Sequence, residues 1–400
     1  MSALNRISLS VALVASLLVP LGAKATTFKT IYSFDSESGC GPDAPMVIDQ
    51  AGNLYGTTSH CGAYKFGTVF RFNPVSGKLT VLHAFSLPNA RDGEQPTSNI
   101  AVGPDGMLYG TTTSGSAGKY GMVFKLAPAG GPLIPLHAFS GGAGGRSPDR
   151  NSPIVVDQAG VLYGTTEGGG ANGLGMIYAI DTQTKAFKTV YSFIKGDTGN
   201  LPAGLLKAPS GLIYGAADYG GPATPPTSCG GNGCGAIFAF NPGTNQYKAI
   251  GNLTFIQGNE NILTVGNGDR TIYGVGRYGG TATKGTLFSL SLATGVVTLL
   301  HTFSDATGAY PTAALVMTAN GTLYGTTLVG PKSSSYGEVF SFNPVNKKFG
   351  TVHIFSEGAH GIGPDGSQPS GLTAAAHGAL YGVTASGGLS GGGTIFKIVP

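Results

Sequence analysis

The chain has no tryptophan, few charges and only four cysteines among its 400 residues. Charged residues are 10% of the sequence and apolar residues 41%, which excludes a disordered polyelectrolyte. The 68 glycines follow no Gly-X-Y period, so collagen is excluded. Beyond residue 25 there is no long apolar run and no amphipathic-helix period. No Gly-x-Ser-x-Gly elbow, His-Glu-x-x-His pair or P-loop occurs. Glycine runs such as Gly168-Gly169-Gly170 lie between strands rather than before helices, so they are not dinucleotide fingerprints.

What is present at the N-terminus reads as a secretory signal peptide over residues 1–25. Arg6 supplies the positive start, Ile7 to Leu21 is mostly apolar, and Ala23-Lys24-Ala25 fits a small-x-small cleavage site. Cleavage removes Arg6 and Lys24 and leaves 21 basic against 19 acidic residues. So even a balance argues against a nucleic-acid partner. No second apolar run follows, so no membrane span is expected in the mature chain, whose destination is extracellular or periplasmic.

Export makes disulfides the default for Cys40, Cys61, Cys229 and Cys234. Three pairings are open on sequence alone. A zinc site would need a second ligand pair at metal spacing, and none stands near Cys229-x4-Cys234. The favoured pairs are Cys40–Cys61 and Cys229–Cys234.

A repeat runs through the chain. Leu-Tyr-Gly or Ile-Tyr-Gly recurs seven times, with tyrosines at 55, 109, 163, 214, 273, 324 and 381. A period near fifty built from short strands is a propeller period. Each unit holds four strand-like pieces, a to d. Piece a is a short apolar run such as Met46 to Asp49, b is the Leu-Tyr-Gly run, c resembles Gly67 to Phe72, and d resembles Leu79 to Phe85. Asn-Pro at 73–74, 241–242 and 343–344 marks the end of c, because proline cannot donate to a ladder. The last c piece, 393–398, has no d piece after it. A lone d-like piece, 28–34, stands at the mature N-terminus. The expected fold is therefore all-β: one seven-bladed propeller over residues 26–400, with four-stranded antiparallel blades. Strand 28–34 pairs with strand 393–398 to close the ring and removes two free edges. A linear β-solenoid is the alternative, and it would not need the N-terminus to supply a strand.

The Leu-Tyr-Gly-Thr-Thr runs (54–58, 108–112, 162–166, 323–327), the Gly-Gly loops and the Gly-x-Val-Phe runs (67–70, 121–124, 337–340) carry a resemblance to a known family. The repeat resembles the tandem GloVer repeat of choice-of-anchor bacterial surface proteins, over essentially residues 28–400. The resemblance implies export and a repeat domain. That family has no agreed activity, so no catalytic residues carry over. Its members often end in an anchoring tail, and this chain is expected to lack one.

Repeated side chains read as structure. His83, His137, His301 and His353 occupy one place in piece d, shared with Tyr32 and Tyr191, so packing is favoured over a ligand set. The seven repeat tyrosines are expected to pack blade against blade, with the next glycine allowing close approach. Aspartates near prolines (Asp43/Pro45, Asp92/Pro96, Asp305/Pro311, Asp365/Pro369) suit loop capping better than calcium.

Function is sought in residues that do not repeat, on the face carrying the long b–c loops and d–a connections. The ligand-binding candidates are Tyr64, Arg91, Asp92, Tyr120, Arg146, Asp149, Tyr219, Arg277, Tyr278, Tyr310 and Tyr336. Tyrosine with arginine and aspartate suits a polar ligand such as a glycan or peptide. No cofactor, metal or catalytic residue is expected. The lack of tryptophan also argues against quinoprotein propellers. The leading expectation is a non-enzymatic exported binding or scaffold protein that meets an extracellular glycan or protein. The rival is an extracellular lyase or hydrolase, acting on a polysaccharide or lactone at the channel mouth.

Overall fold

The structure is a computed structural model. It describes residues 26–86, 92–148, 153–194, 200–220, 235–254, 261–266, 270–333, 336–356 and 363–400. Seven antiparallel sheets follow one another as blades: 47–84, 101–138, 146–192, 200–252, 261–302, 309–354, and 367–399 completed by 27–33. Among the described residues there is no α-helix. The fold is the expected seven-bladed propeller, and it is closed as expected. Thr27–Ser33 lies antiparallel to Thr394–Val399, with Thr27 opposite Val399 and Thr30 opposite Phe396. Both strands sit within one residue of the positions expected from sequence.

Strand b explains why each blade forms. Leu54, Leu108, Leu162, Ile213, Ile272, Leu323 and Leu380 are almost wholly buried, each on the same face of strand b as the repeat glycine two residues on. Each repeat glycine lies opposite an aromatic residue, as Gly56 opposite Phe70 and Gly382 opposite Phe396. A Cβ on any of the seven glycines would come within 2.2–2.6 Å of that ring. The glycine thus clears space for a side chain to lie flat across the strand. The expectation of close approach holds, but a ring approaches, not a backbone.

Every strand d carries a β-bulge at one equivalent place, with an extra residue at Ile31, Leu82, Leu136, Val190, Ile250, Leu300 and Val352. A bulge re-aims the following side chains. Here it is followed by the histidine or tyrosine position of strand d. Those rings stack on the next blade: His137 on Phe187 at 3.8 Å, Tyr191 on Tyr247 at 4.0 Å, His301 on Phe349 at 4.4 Å and His353 on Phe28 at 3.5 Å. The histidines are packing residues, and burial pushes His137 and His301 below the usual imidazole range.

A second device joins the blades on the loop face. Gly41, Gln95, Ser147, Leu201, Tyr310 and Gln368 each precede a proline and adopt φ of 51–66°. Each donates its N–H across the seam to a carbonyl of the preceding blade's b–c loop, at 2.8–3.3 Å. The following prolines press on the glycines that open that blade's strand c: Pro42 on Gly393, Pro96 on Gly67, Pro148 on Gly121, Pro202 on Gly175, Pro311 on Gly285 and Pro369 on Gly337. This latch places b–c loops and d–a connections on one face.

Candidate functional site

The opposite, turn face is built mainly from repeated positions. Tyr55 and Tyr109 donate their hydroxyls to the turn carboxylates Asp49 (3.0 Å) and Asp105 (2.8 Å). Burial, reinforced by Asp49, pushes Tyr55 up to about 12. Six of the seven repeat tyrosines are buried and Tyr273 is half-buried, and two of them also tie down their own turns. A hollow of 660 Å³ between blades 1 and 2 is lined by Asp49, Tyr55, Pro104 and Pro128. Asp49 is already occupied there by Asn53 and Tyr55.

On the loop face the sequence candidates separate into a group and scattered individuals. Arg277 and Tyr278 leave strand b of blade 5, and Gly279 and Gly280 turn the chain back toward Lys284. Tyr310 is the latch residue of blade 6, and its N–H donates to the Lys284 carbonyl at 2.8 Å. That bond carries the Tyr310 ring to 5.6 Å from the Tyr278 ring, while the Arg277 guanidinium lies 5.9 Å over Tyr278. Lys284 pairs with Asp305, whose carbonyl accepts the Lys332 N–H at 2.6 Å. Two cations, two half-buried tyrosines and one carboxylate thus gather on blades 5 and 6, and the exposed Lys332 is held beside them through its backbone. Arginine over a ring is a favourable contact of about 0.5–1 kcal/mol where exposed.

The other candidates stand apart. Tyr64 and Tyr120 are exposed in the b–c loops of blades 1 and 2, and Tyr120 lies against Gly141. Arg146 crosses Gly168 within blade 3. Tyr219 sits in the ladder of blade 4 opposite Asn200, and the Tyr336 carbonyl accepts the latch N–H of Gln368. Asp92 serves structure: it accepts from the Ser86 N–H at 3.0 Å and meets His83 at 3.1 Å. Asp365 meets His353 at 2.9 Å. The capping role expected for these aspartates is realised at Asp92. Arg91, Asp149, Cys229 and Cys234 lie outside the described residues, as does the stretch 1–25.

The Cys40–Cys61 disulfide is formed on this face, with Cα atoms 5.2 Å apart, as expected. Among the described residues no three His, Cys, Asp or Glu side chains could hold one metal ion.

Sequence reasoning missed Glu338. It opens strand c of blade 6, where blades 1, 5 and 7 have Thr68, Thr286 and Thr394. In blades 1 and 7 those threonines bond Thr58 and Thr384. Glu338 is fully buried under Gly308, and no hydrogen bond of good geometry reaches either carboxylate oxygen, the Thr351 hydroxyl being the one polar group close enough to favour its charge. Burial raises its pKa to about 8, opposed by the Thr351 hydroxyl. The signal was a single acid in a column of threonine, methionine and alanine.

The profile of the Gloeobacter/Verrucomicrobia repeat matches residues 17–228 and again 224–400. The chain belongs to that repeat family. For this Gloeobacter/Verrucomicrobia repeat protein, no curated protein gives a match. Solved structures share its fold at low identity. Two are extracellular domains from B. thetaiotaomicron, provisionally described as parts of a one-component and a hybrid two-component system. The first is 11% identical, covering 92% of this chain and 39% of that one, with a TM-score of 0.53. The second is 11% identical, covering 90% and 40%, with a TM-score of 0.54. The repeat protein thus spans about two fifths of the length of these two chains. A third, from Bacteroides uniformis, is provisionally described as a 6-phosphogluconolactonase. It is 16% identical, covering 78% and 84%, with a TM-score of 0.50.

Proposed function

We propose that the protein is an exported, non-enzymatic binding propeller. Its loop face takes a polar, negatively charged ligand, an acidic glycan before an acidic peptide. Tyr310 is the observation that carries this reading. The latch uses only backbone and the following proline, and equivalent positions hold Gly41, Gln95, Ser147, Leu201 and Gln368. Among the six described latches, that of blade 6 alone places an aromatic ring there, against Tyr278 with Arg277 above it. Tyrosine faces suit sugar rings, and Arg277, Lys284 and Lys332 supply positive charge for carboxylate or sulfate groups. The Cys40–Cys61 bond suits an oxidising compartment, in keeping with a signal peptide over 1–25.

The test is the mature protein on arrays of acidic and neutral glycans and of peptides, with a parallel assay for depolymerised product. Binding to acidic glycans is expected. Tyr310→Gln, which borrows the residue of blades 2 and 7, should weaken it about ten-fold without altering melting. Absence of binding on both arrays would end the recognition reading. Released product would favour the rival lyase or hydrolase.

A further inference from the structure

Two d–a connections of the loop face show one plan, and the connection into blade 6 departs from it. After blades 1 and 6 the strand-d histidine meets an aspartate of the connection that follows: His83 with Asp92 and His353 with Asp365. In both, the next glycine lies flat on the last threonine of strand b, Gly93 on Thr112 and Gly366 on Thr384. Thr384 in turn bonds Thr394, which opens strand c, at 2.8 Å. The connection therefore rests on uncharged hydroxyls.

Residues 304–310, which lead from blade 5 into blade 6, differ at both points. His301 meets the Thr307 hydroxyl at 3.2 Å instead of an acid, and Asp305 turns outward to Lys284. The buried acid lies underneath. A Cβ on Gly308 would strike the Glu338 carboxyl, while Thr327, the last threonine of strand b, gives its hydroxyl to the Val329 carbonyl at 2.9 Å. The same connection carries Asp305 and Tyr310 of the candidate site.

The groups around Glu338 offer its charge little support. Strand d of blade 5 brings His301, which burial keeps below the usual imidazole range. The connection brings Asp305, paired with Lys284, and Tyr310, set against Tyr278. Strand d of blade 6 brings Lys348 at its far end, opposite Asn343, and His353, which stacks on Phe28 across the other seam. Strand b brings Tyr324, packed toward blade 7.

We infer that Glu338 is a proton-operated catch for the site: the uncharged acid lets residues 304–310 lie closed, and its ionisation lifts them and draws Tyr310 away from Tyr278. A carboxylate sealed from water without donors is costly, whereas lifting the connection hydrates it. The connection is held by few bonds, chiefly Tyr310 N–H to the Lys284 carbonyl and Thr307 N–H to the Ser304 carbonyl. The lifted form releases one proton to solvent. Closure therefore weakens as pH rises from 4.5 to about 8 and levels off above that. What the catch controls rests on the binding reading; that the connection moves does not.

Hydrogen exchange of the mature protein without ligand tests this, with the segment ending at Gln368 as the control. Its N–H makes the same latch bond, to the Tyr336 carbonyl, above the Thr384–Thr394 pair. Between about pH 5.5 and about pH 7.5, corrected for intrinsic rates, protection of 304–310 should fall about ten-fold per pH unit relative to the control. Glu338→Gln, uncharged at every pH, should keep the connection protected throughout. If that variant does not fold, Glu338→Thr serves instead, with the same expectation. An equal change in the two segments, or a fall that persists in the variant, would overturn the catch. Glycan binding with a pH-indifferent connection sinks the catch alone; a pH-dependent connection without binding sinks only the recognition reading.

Discussion

The seam between blades 7 and 1 and the seam between blades 4 and 5 reverse a simple expectation. Blade 7 is assembled from both ends of the chain, so nothing covalent holds its outer strand to its inner three. Yet its seam with blade 1 has the Phe34–Phe70 pair, the Pro42 latch on Gly393 and, beside the latch, the Cys40–Cys61 disulfide. Blades 4 and 5 are joined by continuous chain, and there Leu253 stands where the other six seams have a phenylalanine, Gly251 stands at the histidine or tyrosine position of strand d, and no proline lies between Pro242 and Pro311. Chain connectivity therefore does not measure how firmly two blades are held. Each ring pair adds about 0.5–1.5 kcal/mol beyond the area it buries, so the difference lies in side chains.

The strongest way to break the comparison is to remove residues 26–34. This strips the outer strand of blade 7, deletes Phe28 from the His353 stack and exposes the edge of Thr394–Val399. Loss of cooperative thermal unfolding is expected, read by calorimetry. Next in size is Cys40→Ser with Cys61→Ser. The bond closes a loop of 21 residues, so its loss should cost about 3 kcal/mol in a denaturant titration.

A smaller effect tests the buried acid. Folding raises the pKa of Glu338 to about 8 from the usual 4.5. The folded chain then holds a proton that the unfolded chain has released. Stability should fall as pH rises from 4.5 toward 8 and level off above it. Glu338→Thr, which restores the residue of blades 1, 5 and 7, should flatten that slope. It should also raise stability by roughly 1–3 kcal/mol near the upper end of the window. An unchanged slope would show that Glu338 is not its source.

Much of this was legible in the sequence because it repeats or is local. Seven Leu-Tyr-Gly copies and the displaced piece at 28–34 imply the ring, and the four strand-d histidines read correctly as packing. The contacts between blades were not legible. The Asp-and-Pro recurrence drew attention to aspartates, whereas Pro96 and Pro311 act on glycines of the preceding blade. The strand-d bulges depend on how two strands register, and strand d alone does not show that. Leu253 and Gly251 look like ordinary drift within a repeat until the rings they replace are seen to bridge blades. At the site, Arg277, Tyr278 and Tyr310 stood among eleven candidates. Only the latch brings a blade 6 residue onto a blade 5 loop.

Ring closure by the N-terminal strand is tested most directly by complementation. The chain beginning at residue 35 is mixed with a synthetic peptide of residues 26–34, and melting is followed against peptide concentration. Saturable recovery of a single cooperative transition, abolished when Phe28 and Tyr32 of the peptide are changed to Ser, is the expected result. A truncated chain that melts like the full mature protein and ignores the peptide would contradict it.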